Sequence, residues 1–113
     1  MTTTEDKIRA QINNNPILLY MKGTPEAPEC GYSAATVKAI NKTGHEFTYV
    51  NVLAAPFIRE KLPSISNWPT YPQLFVKGEL VGGCDIVLEM VNDGSLDLLL
   101  DEASESAKIA SGS

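Results

Sequence analysis

The chain predicts an α/β fold, one mixed four-stranded sheet with helices on both faces, on three observations. Helical and strand-like segments alternate up to residue 65 as a parallel βαβ unit would require. Two later strand-like runs, Gln73–Val76 and Glu79–Gly82, are joined by Lys77-Gly78, which is a hairpin signal. Finally, Ile17-Leu18-Leu19-Tyr20-Met21 is apolar without interruption, as expected of a strand covered on both faces. The 113 residues are enough for one core and not for two, so a single domain over 1–113 is expected, with its core at about 4–106 and a frayed tail at 107–113.

Each element has a local reason. Thr4 to Asn14 places Ile8 and Ile12 four apart behind a threonine cap and acids in the first turn, and the Asn-rich end before Pro16 stops the helix. The apolar strand at 17–21 follows, and the Pro/Gly-rich segment Gly23 to Glu29 is a loop. Ser33 to Lys42, with Ala34, Val37, Ala39 and Ile40, is a helix closed by Thr43-Gly44. Phe47 to Val52 is aromatic and β-branched, hence a strand. Pro56 opens a helix to Ile65 whose Phe57, Ile58 and Leu62 are expected to face inward, with Pro63 bending or ending it. After the hairpin, Asp85 to Asn92 forms a helix ending at Gly94, and Ser95 caps a last one through Leu96, Leu98, Leu99 and Leu100.

Charge and composition exclude several classes. A net charge of −5 argues against nucleic acid, which needs a basic footprint. From Cys84 onward seven acids face only Lys108, whereas the first 83 residues carry seven acids and eight bases. The half that holds Cys30 is therefore close to neutral, with Lys22 and Arg59 free to hold a small anion. No apolar run approaches the ~20 residues that span a bilayer, so no membrane is expected. Two cysteines and an N-terminus without a basic start and apolar run point to no disulfide framework and to a reducing cytoplasm.

The chemistry centres on Cys30. A Cys-x-x-Cys pair at a strand-to-helix junction reads as a dithiol redox motif, but the residue three places after Cys30 is Ser33, which cannot resolve a mixed disulfide. Cys30 must pass its partner to an outside thiol or use its sulfur as a metal ligand. A helix start favours an anion by ~0.3 to 1 kcal/mol, up to ~2 when partly buried, and so lowers the pKa of a thiol placed there. Lys22 nearby adds to this. Tyr71-Pro72 is the place where a cis peptide is expected, because such bonds are essentially confined to X-Pro. His45, the one histidine, is expected to be solvated in a Gly44-His45-Glu46 turn, Trp68 to anchor the loop Thr70 to Pro72 by packing, and Glu5 and Asp6 to be helix-start charges.

Three segments in order, Lys22 to Ser33, Trp68-Pro69-Thr70-Tyr71-Pro72-Gln73-Leu74-Phe75 and Gly82-Gly83-Cys84-Asp85, resemble a single-domain, bacterial-like monothiol glutaredoxin of the CGFS type, over roughly Thr4 to Ser106. Tyr32 departs from the phenylalanine usual there, a change that bears on solvent access and cluster lifetime. The resemblance implies a thioredoxin-like fold, glutathione as ligand, and a 2Fe-2S cluster shared between two subunits with Cys30 as the catalytic thiol and the metal ligand. It makes Lys22 the cation for Cys30 and for the glycine carboxylate of glutathione, and Arg59 the second clamp on that carboxylate, for which a planar guanidinium is suited. The backbone of Tyr71 would pair with the cysteinyl part as an added strand does. Gly83 would let backbone approach the ligand, and the N–H groups of Cys84 and Asp85 would receive the γ-glutamyl carboxylate at a helix start.

Four ligands complete such a cluster, and Cys30 from two chains with two glutathione thiols supplies them. The first expectation is thus a carrier that accepts and hands on clusters as a cluster-bound homodimer, working with iron–sulfur acceptor or scaffold proteins. The alternative is a weak glutathione-dependent thiol–disulfide oxidoreductase using the same thiolate, and a third reading is an adaptor for a BolA-like partner. The loop Gly23 to Glu29 resembles the family's insertion, which by resemblance favours ligation over fast exchange. Cys84 is expected to be dispensable for the cluster, either a buried small hydrophobe or, if the sulfurs can approach, a disulfide partner for Cys30.

Overall fold

A computed structural model describes residues 2–112, with side chains through Glu105. Helix α1 (Thr4–Asn14) starts in a reciprocal cap: Asp6 N–H donates to Thr3 Oγ1 at 3.1 Å and Thr3 N–H to Asp6 Oδ2 at 3.2 Å. Then come β1 (Ile17–Met21), α2 (Gly31–Lys42), β2 (Thr48–Asn51), α3 (Pro56–Ser66), β3 (Gln73–Val76), β4 (Glu79–Gly82), α4 (Cys84–Asp93) and α5 (Ser95–Gly112). The sheet order is β2-β1-β3-β4, with β1 parallel to β2 and antiparallel to β3, and β3 antiparallel to β4. This is the mixed four-stranded sheet expected from the βαβ unit and the hairpin.

All five residues of β1 are buried, because the strand is central and covered twice. Alternation divides it between two cores. Leu18 and Tyr20 pack with Ile8 and Ile12 of α1 and Ile58 and Leu62 of α3. Ile17, Leu19 and Met21 pack with Val37 and Ile40 of α2, Val87 of α4, and Leu96 and Leu100 of α5. Removing either layer would expose a strand with no polar face to offer. No helix among the described residues is long and apolar enough to cross a membrane.

Four expectations need correction. Phe57 does not face inward; it is 75 % exposed. Ile58 and Leu62, four apart, define the buried stripe of α3, and Phe57 lies one residue, about 100°, off it. Pro63 does not end α3, which runs on to Ser66 and stops at Asn67 in the left-handed conformation with φ 58°. His45 is not solvated: its Nε2 lies 2.6 Å from Asp101 Oδ1 and its Nδ1 3.2 Å from Ser104 Oγ, so it latches the turn before β2 onto α5. The last helix also outruns Leu100; its backbone is helical to Gly112, and the frayed tail expected at 107–113 falls where side chains, and the whole of Ser113, lie outside the described residues.

Candidate functional site

The connection from β1 to α2 delivers the thiol. Lys22 is held on both sides of its backbone: its N–H donates to Ser33 Oγ at 3.1 Å, and its carbonyl accepts from Glu29 N–H at 3.0 Å. Next to it, Gly23 N–H donates to Asn51 Oδ1 at 2.9 Å, and the same oxygen accepts from Leu53 N–H at 3.0 Å. Gly23 also bridges to Pro28 across a turn at Thr24–Ala27. The loop is therefore pinned at its base, and Cys30 emerges from it in an extended conformation as the N-cap residue of α2.

An N-cap side chain lies over the free N–H groups of the second and third helical residues, here Tyr32 and Ser33. No formed cap bond to the sulfur is present, but those donors favour the thiolate as soon as it appears. The Cys30 pKa is held below its ordinary value chiefly by the Ser33 N–H, helped by the Tyr32 N–H, the Lys22 ammonium and the Ser33 hydroxyl, and opposed by partial burial. Cys30 is partly exposed and free. Ser33 is fully buried, so it serves as a structural donor and acceptor and not as a nucleophile.

Around Cys30 opens a cavity of about 920 Å³. Lys22 joins Cys30 from the β1–α2 connection, Arg59 comes from α3, and Tyr71 comes from the loop before β3. Gly83, Cys84 and Asp85 enter from the start of α4. All seven residues singled out in the sequence thus meet at one place. Tyr32 lines it as well and is 66 % exposed. The Tyr71–Pro72 bond is cis, as expected.

Buried contacts behind the lining hold this cavity in shape. Gln73, fully buried, donates from Nε2 to the carbonyls of Trp68 at 3.0 Å and Thr70 at 3.2 Å, gathering the loop that carries Tyr71. Trp68 anchors that loop as expected, its Nε1 buried against Gly83. A Cβ on Gly83 would sit 3.2 Å from that nitrogen and 3.3 Å from the Pro72 carbonyl oxygen. Gly82, at φ 147°, would place a Cβ 2.6 Å from Ile86 Cδ1. The glycine pair thus lets α4 close onto the protein's own loop, a role beyond room for a ligand. Ser33 and Asn51 could have been suspected only from their polarity beside apolar segments, since their partners lie 11 and 28 residues away.

The arrangement defines a class first: a thioredoxin-like domain with one accessible thiol at a helix start, facing a proline loop and a second helix start. The glutaredoxin family profile matches residues 17–81. The chain is 55 % identical over 108 residues to Glutaredoxin 4 of Escherichia coli strain K12, covering 96 % of this chain and 94 % of that one. It is 57 % identical over 101 residues to Glutaredoxin 4 of Haemophilus ducreyi, covering 89 % and 94 %. Among solved structures it resembles a monomeric truncated mutant of Trypanosoma brucei 1-C-Grx1, with a TM-score of 0.80 at 38 % identity over 92 % of this chain and 94 % of that one. It also resembles a buckwheat glutaredoxin–glutathione complex, with a TM-score of 0.78 at 26 % identity over 89 % and 90 %. The chain belongs to the glutaredoxin family, and its Cys30-Gly31-Tyr32-Ser33 motif makes it a monothiol member.

Proposed function

We propose that this glutaredoxin binds glutathione in the Cys30 cavity and, as a pair of chains, carries a 2Fe-2S cluster as cargo. The observation that supports this best is the grouping in one cavity of a thiol held toward its thiolate, two cations, Lys22 and Arg59, and the uncapped start of α4. A tripeptide with a carboxylate at each end and a thiol between them is complementary to that set. Likeness to the buckwheat glutaredoxin solved with glutathione supports the same ligand.

Among the described residues, no three Cys, His, Asp or Glu side chains gather into a metal site. A cluster, which takes four thiolates, must therefore draw ligands from outside one chain. Cys30 from each of two chains and two glutathione thiols make up the number, with Cys84 buried and left out. The loaded homodimer then hands its cluster to acceptor or scaffold proteins of the cytoplasm, with a BolA-like protein as a regulatory partner. The test is anaerobic reconstitution with iron, sulfide and glutathione: a coloured dimer with about one cluster per two chains is expected. A coloured monomer, or colour without glutathione, overturns the ligation scheme.

The partial exposure of Cys30 also favours a second use. The Cys30 thiolate attacks the glutathione sulfur of a mixed disulfide, expelling the substrate thiolate and leaving a disulfide between Cys30 and glutathione. A second glutathione thiolate then attacks that disulfide, releases Cys30 and forms oxidised glutathione. Ser33 takes no part, so turnover depends on free glutathione.

A further inference from the structure

Proline inside α3 has a partner that the sequence does not announce. Pro63 has no N–H, so the carbonyl four residues back, that of Arg59, lacks its helical hydrogen bond. The Tyr71 hydroxyl donates to this oxygen at 2.8 Å. Tyr71 is half-buried, with its ring resting on the core between α1 and α3, and both Tyr71 and Arg59 line the cavity. The carbonyl that the proline leaves open belongs to the residue whose side chain is the cation of this helix in the site.

We propose that the Tyr71 hydroxyl is a positioning group for Arg59, fastening the α3 turn that carries the guanidinium to the loop before β3, so that this one link sets the contact of Arg59 with the glycine carboxylate of the ligand. The inference rests on the glutathione reading for its effect on binding, and on the hydrogen bond alone for the link itself. Burial pushes the Tyr71 hydroxyl up to about 12, against the pull of Arg59, so it remains a donor throughout the neutral range. Tyr71→Phe keeps the ring and the backbone and removes only the donor.

The test is a double-mutant cycle of Tyr71→Phe with Pro63→Ala, because alanine restores the N–H and gives the Arg59 carbonyl a helical partner. In the wild-type background Tyr71→Phe is expected to weaken glutathione binding about fivefold, and in the Pro63→Ala background less than about twofold. Affinity for γ-glutamylcysteine, which lacks the glycine carboxylate, should change less than about twofold in either background. Equal losses in both backgrounds, no loss in wild type, or equal losses for both ligands overturn the proposal. Failure of the wild-type protein to bind glutathione overturns the functional reading instead. The link is then decided by the urea midpoints of the same four proteins: a Tyr71→Phe shift that shrinks with Pro63→Ala supports it, and additive shifts overturn it.

Discussion

Two helices begin at the cavity, each with a cysteine, and they handle their free N–H groups in opposite ways. Cys30 stands outside α2 as its N-cap, so its sulfur faces the donors of the first turn. Cys84 is already the first residue of α4, the cap being Gly83, and its side chain is buried. One position across a helix boundary thus separates a partly exposed thiol held toward thiolate from a buried one. Gly83 has no side chain with which to cap, so the donors of α4 stay open to a ligand from outside, while those of α2 serve the protein's own thiolate.

The largest test of this contrast is the pair Cys30→Ser and Cys84→Ser. After reconstitution the first should be colourless and the second should keep the coloured dimer; loss of colour in Cys84→Ser would make that sulfur a ligand. Native alkylation separates the two more gradually. Iodoacetamide should modify Cys30 on the order of a hundredfold faster than Cys84, since one is accessible and held toward thiolate and the other is buried. Peptide mapping after brief exposure would show equal labelling if the contrast is wrong.

A glycine near each cysteine offers a comparison in stability. Gly82→Ala meets Ile86 in a left-handed conformation and should cost about 1–3 kcal/mol in urea unfolding. Gly31→Ala has nothing within 4 Å of the added methyl and should stay within about 0.5 kcal/mol of wild type. Similar costs at the two positions would mean that Gly82 is not packed against Ile86 as described.

The smallest effects concern pH. Thiolate reactivity of Cys30 should rise through a midpoint below that of a free thiol. Lys22→Ala and Ser33→Ala should each move that midpoint up and slow alkylation at neutral pH by about twofold, because the dominant donor, the Ser33 N–H, survives both changes. The same shift favours the folded state above the pKa of the unfolded thiol, and that contribution fades as pH falls through the lowered native value. A midpoint unmoved by Lys22→Ala would remove the lysine from the electrostatics of the sulfur.

Most of the architecture was legible because it is written in short-range pattern. The unbroken apolar run of β1, the turn residues of the hairpin and the four-residue spacing of Ile8 with Ile12 each specify an element without reference to the rest of the chain. The seven residues that local chemistry and resemblance single out meet in one cavity, which is as far as the fold itself speaks to their roles. What escaped was long-range and polar. The contact of His45 with Asp101 spans 56 residues, and that of Tyr71 with the Arg59 carbonyl depends on a proline between them. Phe57 was misplaced because two adjacent apolar residues, Phe57 and Ile58, do not say which of them owns the buried stripe.

The sheet order has a consequence for association. Its two outer strands, β2 and β4, are only four residues long, and β4 begins with an exposed Glu79 and pairs with β3 through an irregular register. Short edges are poor templates for another chain's backbone, and β4 adds a charge and an irregular register, so growth of a continuous intermolecular sheet is discouraged, most of all on the β4 flank. The pair of chains proposed above would then meet by side chains and shared ligands, and could part again without unzipping a ladder.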